Sequence, residues 1–312
     1  MPSTTQDVPP DLRRILEHGV SRHASATVDT ATPSGFRRVS YAEIGVRVAW
    51  LAHALRALGV GEGDRVGTYM WNNAAHLEAF LAVPCMGAVL HPLDVRPGED
   101  VASAVGHAED RVLIVDGALL PRLGALLPDL KTVEHVIVHG PLPDGFTAPA
   151  GMTVHDHAEL LRDRPATYDW PEIDAGQAAV LSAGEPDSHR TIARRALALV
   201  EAFDLTEDDT LLLAVPHFED LGLPYAAFLA GASLAVPDRF QSSESLAAFT
   251  AASRPNLGVG SPRVWEGLLP HAAALTSLTE VVAPDCPPAL ADAYGRHGVT
   301  LVRDREPAAV RP

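Results

Sequence analysis

The chain has 312 residues, 47% of them hydrophobic, enough for one or two domains with sizeable cores. Forty acidic against 24 basic residues leave a formal charge of −16. That excludes nucleic acid and anionic membranes as favoured partners, since both need basic surface.

Two cysteines, Cys85 and Cys286, form no disulfide framework and fit a reducing cytoplasm. The start, MPSTTQDVPPDLRR, lacks the apolar core of a signal peptide, and no run approaches the length of a membrane span. No repeat of 20–50 residues is visible. Residues 1–35 read as an N-terminal arm, with a short helix at Asp11–Gly19 and a Thr-, Pro- and Ser-rich loop at Thr27–Gly35. Tyr41–Leu58 is a strong helix. Ser40 and Glu43 form a capping box, and Ile44, Val48, Leu51, Leu55 and Leu58 share one face.

A strand at Arg65–Met70 follows, then a helix at Ala74–Leu81 interrupted by Pro84. Strands are expected at Ala88–His91, Arg111–Asp116 and His135–His139, with helices at Gly98–Ala108 and Ala118–Leu127 between them. Gly140–Pro171 carries five Pro and three Gly and reads as a connection, apart from a short helix at His157–Arg162. Strand–helix alternation then resumes from residue 178 to residue 303. The pattern predicts an α/β fold of two stacked, mostly parallel sheets with flanking helices. Residues 36–170 form the first lobe with its linker and 171–312 the second.

Gly176–Thr191 organises the chain. Ala178–Leu181 reads as a strand, Ser182–Asp187 as a six-residue loop, and a helix starts at about Ser188. Strand–loop–helix units cradle phosphate because helix N-terminal amides point at the anion. Here the loop offers Glu185 and Asp187 and no Lys; the chain's single Lys is Lys131. The ordinary reading is a tight turn with Ser188 as N-cap.

An extended similarity carries a family resemblance. VSYAEIGVRVAWLAHALRALGVGEGDRVGTYMWNNAAHLEAFLAVPCMGAVLHPLD, HAEDRVLIVD, TYDWPEIDAGQAAVL, LGLPYAAFLAGASLAVP, GSPRVW and CPPAL occur in the order that acyl-CoA synthetases have them. Over roughly 36–303 the chain resembles the N-terminal part of these enzymes, within the adenylate-forming superfamily of AMP-dependent synthetases and ligases. The resemblance implies ATP, Mg2+ and CoA as family cofactors, and acid–thiol ligation by way of an acyl-adenylate. It also implies site positions. Ser182, Gly184, Ser188 and His189 are remnants of the family's phosphate loop, whose ten residues ending in Pro-Lys-Gly do not fit here. His217, Phe218, Gly222, Gly260, Ser261 and Pro262 match its acyl pocket, with Glu219 where the family has His.

The adenine turn is APDC, Ala283–Cys286, without the family's glycines, and RDREPAAVRP stands where Tyr-Gly-x-Thr-Glu belongs. The barrel subdomain, the ribose-binding Asp and the lid have no counterpart. Lys131 matches no catalytic position. Other constellations are weak. His155, Asp156, His157 and Glu159 lack the closing ligands of a metal site, and no metal is expected. Ser182, His189 and Asp187 are hydrolase residue types without a Gly-x-Ser-x-Gly elbow. Trp50 and Trp71 fit packing.

The expectation is a truncated acyl-CoA synthetase-like protein that has lost adenylation and needs none of ATP, Mg2+ or CoA. It binds an acyl small molecule or a protein, self-associates, or docks on a complete synthetase. A partial-reaction enzyme acting on a preformed acyl-adenylate or acyl-CoA, and a decayed gene product, remain as alternatives.

Overall fold

The computed structural model of the chain describes residues 11–143, 145–182, 185–215 and 221–303. In the first half, helix α1 (Leu12–Arg22) leads to a hairpin, β1 (Thr27–Thr32) and β2 (Gly35–Ser40), and to α2 (Tyr41–Ala57). Then follow β3 (Arg65–Tyr69), α3 (Ala74–Cys85), β4 (Val89–Pro92), α4 (Val101–Ala108), β5 (Val112–Asp116), α5 (Leu120–Leu123), β6 (His135–His139), β7 (Thr153–Asp156) and α6 (His157–Leu161). The second half also opens on a hairpin, β8 (Ala178–Ser182) and β9 (Glu185–Ser188), followed by α7 (His189–Phe203). It continues with β10 (Thr210–Ala214), α8 (Leu223–Ala230), β11 (Ser233–Val236), α9 (Ser243–Ser253) and β12 (Leu257–Gly260). The last elements are α10 (Pro262–Leu268), β13 (Glu280–Val282), α11 (Pro288–Gly295) and β14 (Thr300–Val302).

The strands form two seven-stranded sheets, ordered β7-β6-β5-β3-β4-β8-β9 and β14-β13-β12-β10-β11-β1-β2. All pairings are parallel except within the two hairpins. Each half thus builds five parallel strands in the same relative order, and its opening hairpin completes the other half's sheet. Val28 pairs with Leu234 at one junction and Leu90 with Val180 at the other. This is a repeat of topology with a period of half the chain.

Residues 27–35, expected as loop, are therefore strand and turn. The β-branched residues of TVDTAT fit a pleated sheet, and Pro33–Ser34 supplies the turn. The segment 140–171 likewise contains β7, the outer strand of the first sheet.

Side chains alternate across the strands. Leu211 and Leu213 join a central core with α1, α2, α3, α7 and α8, while Leu212 and Ala214 face an outer core under Trp265 and Tyr294. Val112 and Ile114 point inward in the same way, and Leu113 and Val115 face the opposite outer core. The layers run helix, sheet, helix, sheet, helix. In the central layer Gly19 brings α1 against α8, where a Cβ would sit 2.4 Å from Phe228 Cδ1.

The capping box on α2 is formed, with Ser40 and Glu43 exchanging hydrogen bonds, worth about 1 kcal/mol. Helix α3 runs past the expected break to Cys85. Pro84 has no N–H for the Phe80 carbonyl, and the Tyr225 hydroxyl donates to that carbonyl instead, at 2.5 Å. Among the described residues no helix is long and apolar enough to cross a membrane.

Candidate functional site

The expected six-residue loop is the β8–β9 hairpin. Ser182 ends β8, and Glu185 and Asp187 lie on β9, paired to Ser182 and Val180; Gly184 lies outside the described residues. Ser188 is the N-cap of α7, its side chain accepting from Thr191 N at 3.2 Å. The other first-turn amides are engaged too. His189 N donates to Gln177 O at 3.1 Å and Arg190 N to Ala175 O at 2.8 Å. An anion at this helix start meets amides already bonded to their own chain, with Asp187 just before the N-cap and Arg190 in the first turn. Among the described residues, the first-turn amides of α7 are thus engaged within the chain and not turned to a ligand.

His189 is fully buried, and its Nδ1 accepts from Leu12 N at 3.4 Å. Burial lowers its pKa to about 4, so it is neutral near pH 7. It ties α1 to α7 and is not presented to a ligand.

His217 and Phe218 lie outside the described residues. Gly222 is the residue before α8, and a Cβ there would lie 2.6 Å from Arg195 Cγ and 2.8 Å from Leu199 Cδ1. It faces α7, and a large side chain there would push the two helices apart. Gly260 ends β12, Ser261 precedes α10, and Pro262 begins that helix. The space beside Gly258 is filled by Trp265 and that beside Gly260 by Ala214, whose carbonyl oxygen a Cβ would meet at 2.9 Å; Trp265 Nε1 donates to Gly260 O at 3.2 Å. In the turn after β13, Asp285 takes the left-handed conformation at φ 58°, which Asp tolerates and Gly would adopt freely.

Where the strands of both sheets end, a polar junction was not foreseen from the sequence. Asn73 Nδ2 donates to Asp116 Oδ2 at 3.3 Å and to Asp238 Oδ1 at 3.5 Å. Burial, then the nearby Asp116 charge, pushes Asp238 up to about 6. Next to it, the rings of His139 and His157 meet edge-on at 5.2 Å. Burial, then the His139 charge, lowers His157 to about 3. Neutral histidines and one easily protonated carboxylate make this junction a lobe contact. Among the described residues no group of three or more His, Cys, Asp or Glu is placed to hold a metal.

A second arrangement was also missed. A cleft of about 800 Å3 lies between α4 and strands β4, β8 and β9; Ser182 and Leu221 line it, and Gly222, Gly260, Ser261 and Pro262 do not. The volume suits a small-molecule site. His91 lines the cleft, and its Nδ1 sits 2.8 Å from Oδ2 of the fully buried Asp110. The signal in the sequence was Gly67, set inside the buried strand RVGTY with no turn to explain it.

Comparison with known proteins places this architecture. The family model described as AMP-binding enzyme matches residues 16–175. The chain is 36% identical over 280 residues to a long-chain-fatty-acid–CoA ligase of Thermus thermophilus, covering 86% of this chain and 50% of that protein. It is 30% identical over 311 residues to a 3-methylmercaptopropionyl-CoA ligase of Ruegeria pomeroyi, covering 92% of this chain and 57% of the relative. The chain thus spans about half the length of the curated relatives it matches. In fold it is similar to an anthranilate CoA ligase solved with anthranoyl-AMP, at TM-score 0.81 and 20% identity over 96% of this chain and 60% of that one. A long-chain-fatty-acid-CoA ligase from Archaeoglobus fulgidus matches at TM-score 0.77 and 18% identity, over 93% of this chain and 61% of that one. The chain belongs to the AMP-binding, adenylate-forming enzyme family and is acyl-CoA synthetase-like.

Proposed function

We propose that this chain is an acyl-CoA synthetase-like domain without ATP-dependent adenylation, acting as a non-catalytic binder of an acyl ligand or of a protein. One observation carries the reading. The amides of His189, Arg190 and Thr191 at the start of α7 are bonded to Gln177, Ala175 and Ser188 respectively, next to Asp187. A phosphate there would have to break those bonds. The names of the relatives, ligases of fatty and methylmercaptopropionyl acids, support an acyl group as the small ligand. Free, buried Cys85 and Cys286 support a cytoplasmic setting. Isothermal calorimetry with Mg-ATP is expected to show no heat of binding; a micromolar dissociation constant overturns the reading.

The same reading includes a protein contact through residues 279–303. Strand β14 pairs only with β13 among the described residues, and an open strand edge favours pairing. Self-association is the expected form. Light scattering should show a dimer at high micromolar concentration, with slower hydrogen exchange over 279–303 than at low concentration. A monomer with unchanged exchange removes the contact from the proposal.

A further inference from the structure

We infer that the cleft over β4 and β8 binds a small amphiphile carrying a protonated primary amine on an apolar stem, with His91 Nε2 accepting from the ammonium. The inference stands apart from whether the hairpin binds ATP.

The His91–Asp110 pair is built into the sheet. Gly67 on β3 lies in register with His91 on β4. A Cβ on Gly67 would lie 2.9 Å from Asp110 Oδ2 and 2.5 Å from Leu113 Cδ2. Glycine inside a strand costs about 0.5–1 kcal/mol relative to alanine. Here it clears the volume in which the imidazole and the carboxylate meet. Asp110 is fully buried, and its Oδ1 has no hydrogen-bond partner among the described residues.

The pair sets the polarity of the cleft. In the neutral imidazole, a carboxylate at Nδ1 selects the tautomer with the proton on that nitrogen, whose Nε2 is the acceptor. No described residue bonds to Nε2. A ligand that meets it must therefore bring a donor.

Charge selects among donors. Asp94, Glu99 and Asp100 line the same cleft. Asp94 is matched by Arg96, and the lining Arg65 by Glu109. Arg65 also donates to the Ala108 carbonyl at 2.6 Å. Glu99 and Asp100 then remain as net negative charge, so a cation is favoured and a carboxylate is opposed. Val89, Leu93, Val101 and Leu181 supply apolar wall for the stem.

The test uses the full chain and three probes, 1-octylamine, 1-octanol and octanoate, each below its aggregation concentration. The readouts are the nitrogen resonances of the His91 ring and the dissociation constant. Octylamine is expected to shift the His91 signals saturably at one site and to bind at least tenfold more tightly than octanoate. Leu181→Trp fills the cleft from a partly exposed position and should weaken octylamine at least tenfold with the fold intact. Glu99→Gln should weaken it severalfold and flatten the salt dependence. Octanoate binding as tightly as octylamine, octanol binding more tightly than octylamine, non-saturating shifts, or unchanged octylamine affinity in Leu181→Trp would each overturn the assignment.

Discussion

Arg47→Met is expected to destabilise the protein by about 3–5 kcal/mol at pH 8, the cost of leaving a buried charge without its partner. Glu78 on α3 is fully buried, and its Oε1 is held by Arg47 Nε from α2. Its Oε2 has no hydrogen bond among the described residues. Burial raises the pKa of Glu78, against the pull of Arg47. A raised carboxylate pKa means that the folded state holds the proton more tightly than the unfolded chain. The favourable contribution of Glu78 is therefore greatest at low pH and is lost as pH rises through the folded value. Removing Arg47 takes away the pull and raises that value further. The penalty of Arg47→Met should shrink as pH falls from 8 toward 5, as urea unfolding at the two pH values would show. Adding Glu78→Gln should recover most of the loss, because the buried group is then neutral. An equal penalty at both pH values, with no recovery in the double variant, would show that Arg47 acts by packing alone.

The fold was legible where local signals agreed with the final packing. Ser40 and Glu43 announce α2, and both contacts of the box are present. Buried parallel strands such as RVLIVD read as continuous apolar runs and sit between neighbours on both sides. What failed was long-range. Nothing local in TVDTAT says that it pairs with β11, some 200 residues away. Its Thr residues counted as loop formers until a neighbouring strand gave their β-branches a surface to pack on. Pro84 was read as a break for a related reason: the group that satisfies the Phe80 carbonyl comes from Tyr225 on another helix.

The site was legible in part and for the same reasons. The shortness and acidity of 182–187 could be counted in the sequence. The occupation of the α7 amides could not, because Ala175 and Gln177 fold back onto the helix start from before β8. His91 and Asp110 stand 19 residues apart, and only the adjacency of β3, β4 and β5 brings them together. The resemblance directed attention to Gly222 and Gly260 as pocket positions. In the structure the space a Cβ would need is taken in both places, by the Arg195 and Leu199 side chains beside Gly222 and first by the Ala214 carbonyl oxygen of the neighbouring strand, 2.9 Å away, beside Gly260.

Trp265→Ala is the second large loss expected, about 3–5 kcal/mol, for removal of a fully buried large aromatic. The indole lies over two glycines of β12. A Cβ on Gly258 would stand 2.5 Å from Trp265 Cη2, and one on Gly260 3.3 Å from its Nε1. The ring meets Tyr294 edge-on at 6.2 Å, and the Tyr294 hydroxyl donates to the Trp265 carbonyl at 2.7 Å. Truncation removes this packing and leaves the Gly260 carbonyl without the indole donor, so transfer, cavity and hydrogen-bond costs act together. The glycines give the argument an internal check. Gly258→Ala in the unaltered protein should cost about 1–3 kcal/mol, because the new methyl collides with a ring that cannot retreat. In the Trp265→Ala background the methyl enters vacated space, and most of that cost should vanish. The double-mutant cycle should then give a coupling of about 1–2 kcal/mol between residues 258 and 265. Strict additivity would mean that Gly258 is required by its contact with Val281 Cγ1, 3.0 Å from the same position, and not by the tryptophan.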